Sequence, residues 1–144
     1  MPGRDPYNLQ RFVEAQDPVF TDVCEELRGG RKTSHWMWFV FPQIQGLGRS
    51  STAREFAISS RAEAEAYLRH PILGPRLREC TALATAIDGS SAEEIFGYPD
   101  YLKFRSCLTL FAQATPDNQV FLEALKKYFG GEFDAATLQL LENV

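Results

Sequence analysis

Residues 34–43 read Ser34-His35-Trp36-Met37-Trp38-Phe39-Val40-Phe41-Pro42-Gln43. This run holds both tryptophans of the chain and one of its two histidines. Its composition suits a strand, but no other segment alternates with a period of two and offers a partner. A helical turn that is capped by Ser34 and ends before Pro42 agrees better with the rest of the chain. The stretch therefore favours an all-helical fold.

Helical patterns separated by capping residues, glycines and prolines continue on both sides of this run. The first helix is predicted over about residues 7–16, and the second ends at Gly29-Gly30. Two sequences, Ser60-Arg61-Ala62-Glu63 and Ser91-Ala92-Glu93-Glu94, match capping boxes, and the first predicts a helix over residues 61–69. Further helices are predicted to begin near Gly74-Pro75, Pro99, Thr115-Pro116 and Asp134. We expect an all-α fold, a compact single-domain globule of about seven short helices over residues 1–144.

Composition excludes some classes of function. The chain has 144 residues and a net charge of −4, and no basic footprint of a nucleic-acid-binding protein is visible at the level of the whole chain. No apolar run approaches the roughly 20 residues that span a bilayer, so no membrane contact is expected. The polar N-terminal sequence lacks the apolar segment of a secretory signal, which predicts a cytoplasmic protein.

Cysteines and histidines give no sign of a metal centre. Cys24, Cys80 and Cys107 are far apart and odd in number, which predicts free thiols in a reducing compartment. His35 and His70 are isolated, and neither Cys-x-x-Cys nor His-x-x-x-His occurs. We therefore expect no metal and no cofactor. We expect the protein to be a monomer or a homodimer.

The aromatic run carries the clearest candidate site residues. His35 has the side chain best suited to proton transfer near neutral pH, although a histidine wedged among aromatic rings is also consistent. Trp36 and Trp38 are candidates for stacking a ligand ring or for filling the core. Because residues two apart on a helix diverge by about 200°, we expect one tryptophan in the core and the other, with His35, at a pocket rim. The Gln43 amide suits a ligand contact or a turn after Pro42.

A glycine turn with two cations precedes this run. Arg31 and Lys32 follow Gly29-Gly30 and lead to the backbone N–H groups around Ser34, which together predict an anion site. The turn is not a phosphate loop, because Arg31 stands where that motif needs a glycine. Lys103 and Ser106, three apart on a predicted helix, are either an activated nucleophile or part of a solvated face.

Several long motifs carry a family resemblance. The segments 5–16 (DPYNLQRFVEAQ), 34–43 (SHWMWFVFPQ) and 46–48 (GLG), with 70–77 (HPILGPRL) and 103–111 (KFRSCLTLF), resemble a bacterial domain-of-unknown-function family. Its members are often labelled "calpastatin", a label that belongs to a disordered eukaryotic inhibitor and does not suit a globular composition. The resemblance implies a compact, mostly α-helical protein like a mycobacterial member, and it implies no established activity.

A second resemblance covers a single helix. The segment Phe12-Val13-Glu14-Ala15-Gln16 is similar to a helix of the NADAR family, which is linked to ADP-ribose and N-glycosidic bond chemistry. That family has a glutamate near the start of the segment, where this chain has Gln10. The resemblance implies that nucleotide-like ligands should be screened.

Taken together, the candidate residues predict a pocket for a small, anionic, ring-containing ligand such as a nucleotide or an ADP-ribose-like compound, near the segment from His35 to Gln43, and the protein is expected to bind it with or without catalysis. The ligand-binding candidates are Gln10, Arg11, Arg31, Lys32, Trp36, Trp38 and Gln43, and the candidates for proton transfer are His35 and Glu14. The alternative is a non-catalytic module for protein interaction or self-association, since eleven phenylalanines are many for a small core to hide.

Overall fold

The structure is a computed structural model that describes residues 5–142. Ten helices are present within these residues: α1 (Gln10–Gln16), α2 (Phe20–Arg28), α3 (Met37–Val40), α4 (Ser51–Glu55), α5 (Arg61–Arg69), α6 (Leu73–Thr85), α7 (Ala92–Phe96), α8 (Asp100–Ala114), α9 (Gln119–Phe129) and α10 (Ala135–Glu142). Between residues 5 and 142 the only β-type pairing is one isolated bridge from Ile44 to Ile58. The prediction of an all-α fold is confirmed, but the predicted number of about seven helices is wrong.

Two very short helices differ from the expectations. The turn α3 has four residues and follows Trp36, with no side-chain cap from Ser34. The five residues of α4 lie outside every predicted helix, and none of them is buried. Because a helix without a buried face shows no apolar periodicity, only its cap reveals it: the Ser50 hydroxyl accepts the N–H of Ala53 at 3.1 Å.

Capping residues set the N-terminal ends of α5 and α7. The bounds of α5 agree with those predicted, and the Ser60 hydroxyl accepts the N–H of Glu63 at 3.1 Å. Ser91 and Glu94 form the reciprocal capping box that their spacing predicts. By contrast, α9 begins three residues after Pro116, with Asn118 at its cap position. The starts of α5 and α7 therefore follow from local sequence signals, whereas the start of α9 does not.

The central helix is α8, which packs against α5, α7, α9 and α10. Its buried apolar side chains belong to one continuous core that extends through the chain from Leu9 to Leu141. The end of the aromatic run enters this core, because the Phe41 ring lies 4.9 Å from the Phe104 ring, centroid to centroid, and both side chains are fully buried. The three cysteines are buried and free, as predicted. Among residues 5–142, every helix is too short or too polar to cross a bilayer.

Replacing Gly74 by alanine is expected to lower the free energy of unfolding by about 1 to 3 kcal/mol, the usual cost of overpacking. A Cβ atom at Gly74 would lie 2.2 Å from the carbonyl oxygen of Leu68, and this backbone atom can move only if α5 moves away from α6. The control is Gly29→Ala, where the nearest contact would be 3.3 Å and the backbone is already right-handed. Urea denaturation measures both, and equal costs would contradict the steric argument.

Candidate functional site

The anion-binding turn predicted before the aromatic run exists, and a carboxylate of the protein occupies it. One oxygen of Glu26 accepts the backbone N–H groups of Thr33 at 2.7 Å and Ser34 at 3.0 Å. The same oxygen accepts the indole N–H of Trp36 at 2.9 Å, and the other accepts the Ser34 hydroxyl at 2.7 Å. Burial alone would raise the pKa of Glu26, but these hydrogen bonds outweigh burial and lower the pKa to about 2. The turn therefore binds an internal anion.

The two cations predicted to hold a ligand at this turn have other surroundings. The ammonium group of Lys32 lies 2.9 Å from a carboxylate oxygen of Asp100, and its side chain is only 8% exposed. Lys32 is thus a buried link to α8, which corrects its predicted role in ligand binding. Arg31 is exposed and lines a hollow of about 380 Å³ together with Glu93 and Glu94, whose carboxylates offset its charge.

The Glu26 contacts predict a pH dependence of stability. A carboxylate whose pKa is about 2 in the folded state, against an ordinary value of 4.5, stabilises the fold above pH 4.5 and loses that contribution as the pH falls towards 2. We expect Glu26→Gln to lower the free energy of unfolding at neutral pH by about 1 to 2 kcal/mol, after allowance for solvent screening. Urea denaturation at several pH values measures this difference.

The neighbouring exposed carboxylate provides the control for this experiment. Glu25→Gln removes a charge from the same helix at an exposed position and should leave both the stability and its pH dependence nearly unchanged. If Glu26→Gln shows the same acid profile as the wild type, the hydrogen bonds at the turn do not set the stability.

The two tryptophans have different environments. Trp36 is 1% exposed and contacts the Phe41 ring, so its predicted role in stacking a ligand is corrected to a role in the core. Trp38 is half-buried beside Gln43 in a slot of about 10 Å³, which holds about one water molecule and no ring. The ammonium group of Lys103 lies 4.9 Å from the centroid of the Trp38 ring, so a cation of the protein already occupies one face of it.

Arg11 is a structural hub, which corrects its predicted role in ligand binding. Its guanidinium reaches the Glu63 carboxylate at 3.0 Å, and that side chain is only 3% exposed. The remaining N–H groups donate to the backbone carbonyls of Tyr7 (2.6 Å), Asn8 (2.9 Å), Glu55 (2.7 Å) and Ala57 (2.8 Å). These bonds tie α1 to the segment before α5 and leave no donor directed at a ligand.

The other predicted residues do not converge on one cavity. His35 and Glu14 are exposed, and neither side chain forms a hydrogen bond or an ion pair with another residue in the range 5–142. Gln10, Arg31 and Gln43 line three different hollows. The chemistry predicted for one pocket is therefore distributed over several surfaces.

The pair formed by Lys103 and Ser106 does not have the geometry of an activated nucleophile. The Ser106 hydroxyl donates to the backbone carbonyl of Leu102 at 3.1 Å, and Asp134 lies within hydrogen-bonding distance of the same hydroxyl. The ammonium group of Lys103 lies 3.1 Å from the Asp100 carboxylate. Both groups therefore have structural partners.

A cleft that the sequence did not reveal lies between the loop 45–49 and α4. Its volume is about 430 Å³, and its lining is Gln45, Gly46, Gly48, Arg49, Arg54 and Ala57. Both arginines are exposed, and neither side chain pairs with another residue of the described part of the chain. No carboxylate belongs to the lining, so the cleft carries an unbalanced positive charge.

Gly48 explains how the loop approaches α4 so closely. A Cβ atom at this position would lie 2.4 Å from the Cβ atom of Ala53, a distance that no side chain tolerates. Gly48 lines both the cleft and the Trp38 slot, so the two adjoin. The sequence alone did not indicate this cleft. Arg49 and Arg54 line it together only because α4 begins after the Ser50 cap that lies between them.

Comparisons with known proteins identify relatives of unknown function. A family model described as "Protein of unknown function (DUF1810)" matches residues 6–141. The crystal structure of the conserved hypothetical protein Rv1873 from Mycobacterium tuberculosis is similar, with 58% sequence identity and a TM-score of 0.95. The alignment covers 96% of this chain and 99% of that one. No curated protein matches the chain. The predicted resemblance to a family of unknown function with a helical mycobacterial member is confirmed.

Proposed function

We propose that this chain, which belongs to the DUF1810 family of proteins of unknown function, binds a small phosphate-bearing ligand with a planar ring. The ligand lies in the cleft between the loop 45–49 and α4. One observation carries the proposal: Arg49 and Arg54, neither with an ion-pair partner in the described part of the chain, line a cavity that holds no carboxylate. Nucleotides and ADP-ribose-like compounds belong to this ligand class.

The chemistry of the lining fits both parts of such a ligand. Guanidinium groups bind phosphate oxygens through two parallel hydrogen bonds and also stack on planar rings. The Gln45 side chain, which belongs to the lining, can supply an amide contact. The volume of about 430 Å³ falls within the usual range of small-molecule sites, about 300 to 1,000 Å³. The two arginines give the cleft the positive charge that a phosphate requires.

The adjoining Trp38 slot supports a spectroscopic test. Trp38 and Gln43 lie next to the cleft through Gly48, whereas Trp36 is buried. A ligand in the cleft should therefore change the fluorescence of Trp38 alone. Trp38→Phe removes this response, and Trp36→Phe keeps it.

Catalysis by His35 or Glu14 is a separate proposal. Both side chains are exposed, and in this structure neither lies in the cleft lining. The check is to incubate the protein with each bound compound and separate the products by chromatography. A product that appears with the wild type and is lost in His35→Ala or Glu14→Gln would assign proton transfer to that residue, and no turnover would leave a binding protein.

The binding test is a thermal-shift screen with inorganic phosphate, nucleotides, NAD and ADP-ribose. A ligand at 100 times its dissociation constant should add about 2.7 kcal/mol of stability. Arg49→Gln and Arg54→Gln should each weaken binding by about tenfold or more, equivalent to 1.4 kcal/mol. The control is Arg31→Gln, which removes another exposed arginine that lies outside the cleft. No shift with any compound, or an equal loss in the Arg31 variant, would overturn the proposal.

A second candidate function, self-association, has one observation in its favour. Tyr98, Leu102 and Phe133 are 74%, 40% and 37% exposed, and the Arg105 guanidinium binds the carbonyl of Phe133 at 3.1 Å, which holds it beside α8. However, Phe133 is the only exposed one of the eleven phenylalanines, so the predicted surplus lies mostly in the core. Light scattering after size exclusion tests it: a wild-type dimer that Leu102→Glu converts to a monomer would support this function, and a wild-type monomer would exclude it.

A further inference from the structure

The hollow between the start of α1 and the end of α5 has a different charge pattern from the cleft. Its volume is about 510 Å³, and Asp5, Tyr7, Gln10, Ala66, Arg69 and His70 are among its lining residues. It thus contains one carboxylate, one guanidinium, one imidazole and an aromatic ring. None of these groups contributes to the proposed phosphate site.

Asp5 is held in place as the cap of α1. Its two carboxylate oxygens accept the backbone N–H groups of Leu9 at 2.7 Å and Gln10 at 2.9 Å. A carboxylate has about four lone-pair sites, so each oxygen retains capacity for another donor. Asp5 therefore presents a fixed negative charge to the hollow.

His70 has a defined tautomer because it caps the start of α6. Its Nδ1 atom accepts the backbone N–H groups of Ile72 at 3.1 Å and Leu73 at 3.2 Å. A nitrogen that accepts hydrogen bonds carries no proton, so the proton of the neutral ring is on Nε2, which is left as a donor. The Arg69 guanidinium, exposed and without an ion-pair partner in residues 5–142, is the cation beside it.

The opposite charges select the class of ligand. A phosphate dianion would gain from Arg69 but would be repelled by Asp5, whereas a ligand with both charges gains from both residues. Tyr7 and Ala66 supply an apolar surface for the rest of the molecule. We propose that this hollow binds a zwitterionic α-amino acid with an aromatic side chain. Its carboxylate contacts Arg69 and Nε2–H of His70, and its ammonium group contacts Asp5.

Calorimetric titration with three related compounds tests each charge separately. The probes are L-phenylalanine, its N-acetyl derivative, which lacks the ammonium charge, and its amide, which lacks the carboxylate. We expect L-phenylalanine to bind with a dissociation constant of about 1 mM or lower. Each derivative should bind at least about tenfold more weakly, a difference of 1.4 kcal/mol.

Two variants and one control complete the experiment. Arg69→Gln, at an exposed position, should weaken L-phenylalanine binding by about tenfold or more. Asp5→Asn, which keeps an oxygen that can cap α1, should have a similar effect. Arg54→Gln, in the other cleft, should leave it unchanged, so a failure of this site and of the phosphate site can be told apart. The proposal is overturned by any of three results: no heat at about 10 mM ligand, equal affinity for the three probes, or unchanged affinity in Arg69→Gln.

Discussion

Replacing Arg11 by methionine is expected to lower the free energy of unfolding by about 3 to 5 kcal/mol, the cost of leaving a buried charge without its partner. The Glu63 side chain is 3% exposed and loses the guanidinium that lies 3.0 Å away. It retains only the N–H and hydroxyl of Ser59 at 2.9 and 2.8 Å. The carbonyls of Glu55 and Ala57 also lose their donor.

Two comparisons separate this effect from a general loss of charge. Arg28→Met removes an arginine whose contact with Glu79 is 4.0 Å long and well exposed, so it should cost about 0 to 1 kcal/mol. The double variant Arg11→Met with Glu63→Gln should recover part of the loss, because it removes the unpaired charge. Urea denaturation measures all three, and a cost for Arg11→Met no larger than that of Arg28→Met would contradict the buried pair.

The same hub links the fold to the proposed site. Arg11 holds the carbonyls of Glu55, the last residue of α4, and Ala57, which lines the cleft. We therefore expect a folded Arg11 variant to bind phosphate-bearing ligands more weakly although the residue does not line the cleft. In this way an interaction that stabilises α1 also positions the short helix with Arg54.

Local signals in the sequence predict much of this fold because caps and apolar stripes act over one or two turns. The bounds of α5 and the capping box at Ser91 are examples, and both depend on residues three apart. The short α4 was not predicted because it buries none of its residues and therefore shows no apolar stripe. Helix α9 begins after Asn118, and not near Thr115-Pro116 as predicted, because the Asn118 side-chain amide donates to the carbonyl of Ala112. This contact joins residues on either side of a turn.

The site was less predictable because the sequence does not show which donors are already occupied. Arg11, Arg31 and Arg54 are the same residue type, so the sequence alone does not distinguish them. In the structure the Arg11 guanidinium donates to five acceptors, Arg31 lies beside two glutamates, and Arg54 has no partner in the described chain. The predicted anion site has the expected chemistry, but Glu26 from the preceding helix reaches across the glycine turn to fill it.

Replacing Trp36 by alanine is expected to cost about 3 to 5 kcal/mol, the usual range for truncating a buried aromatic residue. Trp36 is 1% exposed, its ring packs against Phe41, and its indole N–H binds Glu26 at 2.9 Å. Trp36→Phe keeps most of the packing and loses the hydrogen bond, so it should cost about 1 to 3 kcal/mol, the penalty for an unsatisfied partner. Thermal and urea denaturation measure both variants.

Trp38 is the matched control, because it lies two residues away in the same aromatic run. It is half-buried beside a slot that holds about one water, so Trp38→Ala should cost clearly less than Trp36→Ala. The stability effect and the ligand effect should separate: the Trp36 variants lose stability, and the Trp38 variants lose the fluorescence response to a ligand in the cleft. If Trp38→Ala is the more destabilising, or if the response disappears with Trp36→Phe instead, the division of the aromatic run between core and surface is wrong, and the cleft beside Gly48 loses its reporter.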